Sequence, residues 1–294
     1  MKYALVQQWQ QKAIPVQQAC RVLGVSRAGF YQQKQRCLRT TDPVVSAQLQ
    51  AAFTDSGRSY GSRRLCQALK QKGLNLGRYR VRTLMKKHGL HATWRRKFVH
   101  TTDSRHNYPV AENVLDRCFT VDKPNQAWVS DLTYIRTGQG WLYLAAIMDL
   151  YSRKIVGWSM APSMPTDLVA GALHMALQQR RPGPGLILHS DRGSQYASSA
   201  YQTLLHQHEI RCSMSRKGNC WDNAVMERFF LNLKMERVWQ RTYANHAEAR
   251  KDITQYIVGF YNTTRLHSTL GYRSPAAYEM QTLSLRPIEV SEIT

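Results

Sequence analysis

Acidic residues are almost missing from the first hundred positions of this sequence. Residues 1–100 hold only Asp42 and Asp55 against 20 Lys and Arg, a net charge of 20 − 2 = +18. Residues 101–294 hold 21 Lys and Arg and 17 acids, a net of +4, which completes the +22 of the whole chain. Such an imbalance repels itself in a compact protein, and a polyanionic partner is the simplest reason to carry it. Long apolar runs are lacking too. The longest, Trp141 to Met148, is far too short to span a bilayer. The opening Met1-Lys2-Tyr3-Ala4-Leu5-Val6 passes into glutamines before a signal-peptide core forms, so a cytoplasmic protein is expected. Cysteines are scattered: Cys20, Cys37, Cys66, Cys118, Cys212 and Cys220 contain no CxxC pair, which argues for reduced, packed thiols. His206, His208, Cys212 and Cys220 match the spacing of no common zinc finger, and zinc is not expected.

What is present is enough for two or three folding units: 294 residues, 43% of them hydrophobic. Val16, Ala19, Cys20 and Leu23 recur at helical spacing, Gly24-Val25 breaks the pattern, and Ser26 is placed to cap a second helix through Arg27 and Tyr31. Helix, short turn, helix in a basic setting predicts a helix-turn-helix-like DNA-binding region over residues 1–45, with a plain helical hairpin as the alternative. A second basic helical unit is expected over 46–100. Leu65, Ala68 and Leu69 stripe one helix, ended by Gly73; Val81, Leu84, Met85 and His88 stripe the next, ended by Gly89. Arg78, Arg80, Arg82, Lys86 and Lys87 decorate that helix, and Arg95, Arg96 and Lys97 extend the strip. With almost no acids nearby to pair them, they point to phosphate contact. Residues 101–120, polar and without periodicity, read as a linker.

Residues 121–285 change character. Strands are expected at Ala127–Ile135, Trp141–Met148 and Ile155–Met160, joined by short links as an antiparallel meander. A helix follows at Thr166–Arg180, then a strand at Leu186–Asp191, which should run parallel to the first strand. A helix at Tyr201–Glu209, a strand at Arg211–Met214, and helices at Ala224–Trp239 and His246–Tyr261 complete the pattern, before a tail at 286–294. Two strands are read as ending in an acid, Asp131 and Asp191, and Glu227 sits in the first turn of the long helix. Clustered carboxylates repel unless a proton or a cation sits between them, and a hard divalent ion suits oxygen ligands. Asp149 ends the second strand and reads more simply as a turn cap. Asp222 and Asn223 read as helix caps. Trp128 and Trp221 flank the acids and are open to either core packing or base stacking. Lys234, almost two helical turns after Glu227, shares its face.

The stretches Trp128-Val129-Ser130-Asp131-Leu132-Thr133-Tyr134, Met148 to Trp158, His189-Ser190-Asp191-Arg192-Gly193-Ser194-Gln195-Tyr196, Ser215 to Phe230 and Tyr261 to His267 resemble the DDE transposase and retroviral-integrase superfamily. In particular they resemble OrfB-type transposases of bacterial insertion sequences. The separation of Asp191 and Glu227 by 35 residues fits that family. The resemblance implies an α/β, RNase-H-like catalytic domain, a mixed sheet flanked by helices, behind small all-α helix-turn-helix units. It implies that Asp131, Asp191 and Glu227 bind two Mg2+ (or Mn2+) ions for cleavage and joining of DNA strands, with water or a DNA 3′-hydroxyl as nucleophile. Lys234 and Arg228 would hold DNA. Its partners would be element ends and target DNA, further copies of the chain, and possible fusion by frameshifting with an upstream OrfA-type protein. Two other readings are a helix-turn-helix regulator with inert acids and a plain nuclease.

Overall fold

The computed structural model describes residues 2–40, 43–92, 109–216 and 219–284. The chain divides into two units, residues 1–92 and 93–294. The first contains α1 (Lys2–Gln11), α2 (Val16–Leu23), α3 (Arg27–Thr40), α4 (Pro43–Asp55), α5 (Ser62–Gln71) and α6 (Arg78–Lys87). The expected α2 stripe buries Ala19 and Cys20 against Val6 of α1 and Phe30 of α3. Gly24, at φ +61°, closes α2 in the left-handed conformation that costs glycine nothing. The Ser26 hydroxyl accepts the Gly29 N–H at 3.0 Å and caps α3, as its position predicts. α1 and α4 are helices beyond those expected from the sequence. In α1, glutamines crowd the helix and only Val6 is buried. In α4, Val45, Leu49, Ala52 and Phe53 are buried at helical spacing.

The second unit is built on a five-stranded sheet in the order β3-β2-β1-β4-β5. Its strands are β1 (Ala127–Thr137), β2 (Gly140–Asp149), β3 (Ile155–Ala161), β4 (Ile187–Ser190) and β5 (Arg211–Met214). The first three form the antiparallel meander, while β4 runs parallel to β1 and β5 parallel to β4. A mixed sheet of this order, flanked by helices, is the RNase-H-like arrangement. Period-two alternation sends successive side chains to opposite faces. Val129, Ile135, Leu142 and Met148 pack under α10 (Ala224–Glu236) and α11 (His246–Gln255) through Phe229, Leu233 and Ile253. Trp128, Ala145 and Ile147 pack under α7 (Thr166–Arg180), α8 (Ser194–Ala197) and α9 (Ser199–Gln207). Trp128 is therefore core, fully buried. At Gly157 of β3 an added Cβ would collide with the Ala172 carbonyl of α7, so the strand and helix approach as closely as they do only with glycine there.

Several helix ends differ from the sequence pattern. The helix expected at Tyr201–Glu209 starts two residues earlier, because Ser198 caps it by accepting the Tyr201 N–H. The helix from Ala224 ends at Glu236 and passes into a 3-10 turn at Val238–Gln240. Past Gln255 the chain widens into a π-helix, Tyr256–Tyr261. There Tyr256 donates its hydroxyl to Glu236, which also receives Arg265; carboxylate and guanidinium are both buried. That helix is not the last: α12 (Pro275–Ser284) follows and docks through Glu279, which receives Arg180, Ser152 and Lys154. Among the described residues, no helix is long and apolar enough to cross a membrane.

Candidate active site

The parallel ladder between β1 and β4 pairs Val129 with His189. Two residues further along come Asp131, inside β1 and not at its end as expected because β1 runs on to Thr137 in its ladder with β2, and Asp191, just past β4, so the register sets the two acids side by side. Asp131 shares the parity of Val129 and Ile135 and faces the helix α10 that carries Glu227. Each acid is locked locally: the Leu132 N–H donates to Asp131 at 2.7 Å, and the Gly193 N–H donates to Asp191 at 3.0 Å. Burial raises the Asp131 pKa well above the carboxylate range, and the charges of Asp191 and Glu227 push the same way. The Leu132 N–H and the Lys234 ammonium oppose them. Glu227 itself lies on an exposed part of α10. Among the described residues, no three His, Cys, Asp or Glu side chains are grouped as a finished metal cage. The structure brings the three acids into one electrostatic neighbourhood, not into contact with a common point.

The supporting shell was beyond the sequence reading. Asp222 is not a helix cap. Its buried carboxylate receives the Arg216 backbone N–H at 2.9 Å, the Arg216 guanidinium, Arg117 at 2.8 Å and Asn113 at 3.0 Å. These donors hold its pKa far below the usual range, outweighing burial. Asn223 makes no side-chain cap either; it donates its amide to the Ser130 carbonyl at 3.1 Å. The side-chain cap here is Asn219, which accepts the Trp221 N–H. His189 sits buried between the Ser213 and Ser215 hydroxyls, and burial pulls its pKa down to about 4. Tyr196 bonds Ser130 at 2.9 Å, and burial, Asp131 and Asp191 keep its phenol protonated. Asp149 is a turn cap as expected: it accepts the Asn125 and Tyr151 N–H groups and Arg180, away from the three acids.

The basic candidates are mostly at the surface. Arg27, at the start of α3, is exposed. On α6, Arg78, Arg82, Lys86 and Lys87 are exposed and Arg80 is half-buried. Arg228 is exposed on α10, and Lys234 is half-buried over the ring of Tyr134. Arg95, Arg96 and Lys97 lie outside the described residues, as do residues 101–108 of the expected linker. Within its described part, Leu115 is buried and bonded through its N–H to Ser213.

Comparison with known proteins supplies the family. An HTH-like domain matches residues 42–98, which include α4–α6 rather than the α2–α3 pair. Integrase core domains match residues 121–220 and 208–275. Transposase InsF for insertion sequence IS3A, from Escherichia coli (strain K12), is 40% identical over 293 residues, covering 97% of this chain and 100% of the relative. The chain belongs to the insertion-sequence transposases with an integrase core. Enzymes of this family cleave and join DNA strands. A second relative, an insertion element IS600 uncharacterized 31 kDa protein from Shigella sonnei, is 45% identical over 262 residues, 88% of this chain and 96% of the relative. Solved structures show a distant likeness. A simian T-cell lymphotropic virus intasome aligns with a TM-score of 0.45 and 14% identity over 79% of this chain and 73% of the other. The HTLV-2 integrase catalytic core domain in complex with magnesium aligns at 0.42 and 15% over 53% and 96%. Scores this low leave the functional argument to the relatives and to the site.

Proposed function

We propose that Asp131, Asp191 and Glu227 hold two divalent ions, Mg2+ or Mn2+, and that the chain uses them to cleave and join DNA at insertion-sequence ends. The observation that carries this is the β1–β4 register, which sets Asp131 beside Asp191 within the field of Glu227. Three hard oxygen donors whose charges disfavour one another in a partly buried cleft fit a cation of high charge. Such ions activate the attacking oxygen and steady the leaving oxygen of an in-line displacement at phosphorus. The chain's own part is positioning. Leu132 and Gly193 N–H groups hold two carboxylates, Asn223 ties α10 to β1, and Lys234 offers a cation to a DNA phosphate. No covalent protein–DNA intermediate is needed.

Residues 1–45 and 46–100 serve in this reading as DNA-binding units. Arg27, Arg78, Arg80, Arg82, Lys86, Lys87, Arg95, Arg96 and Lys97 contact phosphates there, while Arg228 and Lys234 do so at the core. The substrates are terminal inverted repeats and target DNA. Two ends are joined by a homo-oligomer, alone or as a fusion with an upstream OrfA-type protein, in the cytoplasm. Asp131→Asn, Asp191→Asn and Glu227→Gln keep side-chain shape and remove the charge the ions require. Each is expected to abolish cleavage and joining of an end duplex in Mg2+ while DNA binding survives. Substantial joining by any of the three overturns the assignment. Cut ends that are never joined by the parent protein support the plain nuclease instead.

A further inference from the structure

We propose that Trp221 stacks on a nucleobase of the DNA end beside the scissile phosphate; this rests on the carboxylate site proposed above. Trp221 is 70% exposed, the most exposed aromatic ring among the described residues of 109–284, yet both residues after it are buried. The exposure is not slack in the chain. On one side Asp222 is clamped by Arg216, Arg117 and Asn113. On the other the Asn219 side chain accepts the Trp221 N–H at 3.3 Å. Residues 219–223 are thus held in place while presenting an indole to solvent, where a bare apolar ring gains nothing for the fold.

The described residues nearest the ring are tied to the acids. The Ser215 N–H donates to the Ser190 carbonyl at 2.9 Å, and Arg192 donates to the Ser215 carbonyl at 2.6 Å. Ser190 and Arg192 flank Asp191. Two residues after Trp221, Asn223 donates to the carbonyl of Ser130, which precedes Asp131. Glu227 follows four residues later. Residues 219–223 therefore end on a bond to the residue beside Asp131 and lead into the helix that bears the third acid. A phosphodiester lying at these carboxylates brings its own bases to the neighbouring surface, and Trp221 is exposed two residues before the Asn223 tie to β1. Every base offers a π-face, so such a contact tolerates sequence. A base at a strand end leaves its stack at little cost. The occupant is a base of the end, because the cleaved strand occupies the site in both cleavage and joining.

The test uses the full chain and an end duplex with 2-aminopurine at the nucleotide flanking the mapped cleavage position. The parent protein should change the probe's fluorescence on binding. Trp221→Ala and Trp221→Leu should lose that change and lower joining about tenfold, whereas Trp221→Phe should stay within about threefold of the parent. Leucine keeps apolar bulk without a π-face, and the site is exposed, so a folded protein is expected in each case. Parental joining or an unchanged probe signal in the Ala or Leu variant overturns the proposal. So does a shift in oligomeric state without DNA, which marks the ring as a protein contact. Asp131→Asn run alongside separates the two readings: it should keep the probe signal without joining. If it joins, the carboxylate assignment fails; if it is inert while Trp221→Ala matches the parent, only the stacking fails.

Discussion

The Lys234 ammonium stands 4.5 Å from the centre of the Tyr134 ring, and it feels the charge of Asp131, three residues back along the same strand. Glu236, two residues further along α10, is taken by Arg265 and Tyr256. Burial lowers the Lys234 pKa and Asp131 counteracts it. A cation held at the edge of an acid site is placed to meet a phosphate. Lys234→Ala is expected to lower strand joining about tenfold in a folded protein, the loss of one charge-assisted hydrogen bond. Lys234→Arg should retain most of it. Strand-transfer rates with an end duplex decide the matter, and activity of the alanine variant near that of the parent reduces Lys234 to a surface lysine.

Charge division makes a second expectation. With +18 of the +22 in residues 1–100, that segment should supply most of the affinity for DNA. Binding should weaken steeply with salt, through counterion release. A fragment spanning residues 109–294 should bind end duplexes far more weakly, with a shallower salt slope, in fluorescence-anisotropy titrations. Equal affinity of fragment and whole chain contradicts this.

Asp222 should matter for stability as well as for the site. Alanine there strands the Arg216 N–H, two guanidinium groups and the Asn113 amide. Both arginines are nearly half exposed, so water compensates part of the loss. The expected cost is about 2 kcal/mol, read as a lowered midpoint in urea unfolding of the core. Because the same clamp holds Trp221, joining should fall by more than the folded fraction does.

Glu279 carries an acid sensitivity with a definite sign. Burial alone would raise its pKa, but Arg180, Ser152 and Lys154 together hold it below its ordinary 4.5. The folded state therefore binds its proton less readily than the unfolded chain does. Its contribution is present above pH 4.5 and fades as the pH falls through the lower folded value. Glu279→Gln should destabilise the protein more at pH 7 than at pH 3.5 in urea titrations. A cost independent of pH would show that the carboxylate's charge is not what holds α12.

Local pattern was enough to read much of this protein. The apolar run of β2 and the apolar stripe of α7 are signals written in contiguous residues. So are the places of Asp191, just past a strand, and Glu227, in the first turn of a helix, whereas Asp131 lies within β1 and not at its end. The one-sided charge of the first hundred residues is likewise a property of sequence alone. α4 carries its apolar spacing in the sequence, whereas α1, with one buried residue, has too little amphipathicity to announce itself. The roles of Asp222 and Glu279 were of another kind. An aspartate before a helix has the same local chemistry whether it caps the helix or receives an arginine. Only the folded chain decides, by bringing Arg117 from 105 residues away and Asn113 from 109. The same holds for Arg180 and Glu279, 99 residues apart, which anchor a helix that the pattern missed. Trp128 reads from sequence chiefly as core, and packing buries it under α7; Trp221 is open between core and stacking in the sequence, and the fold leaves it in solvent beside the Asp222 clamp. Periodicity tells a residue which face of its own element it occupies; what stands opposite that face is set by the path of the chain.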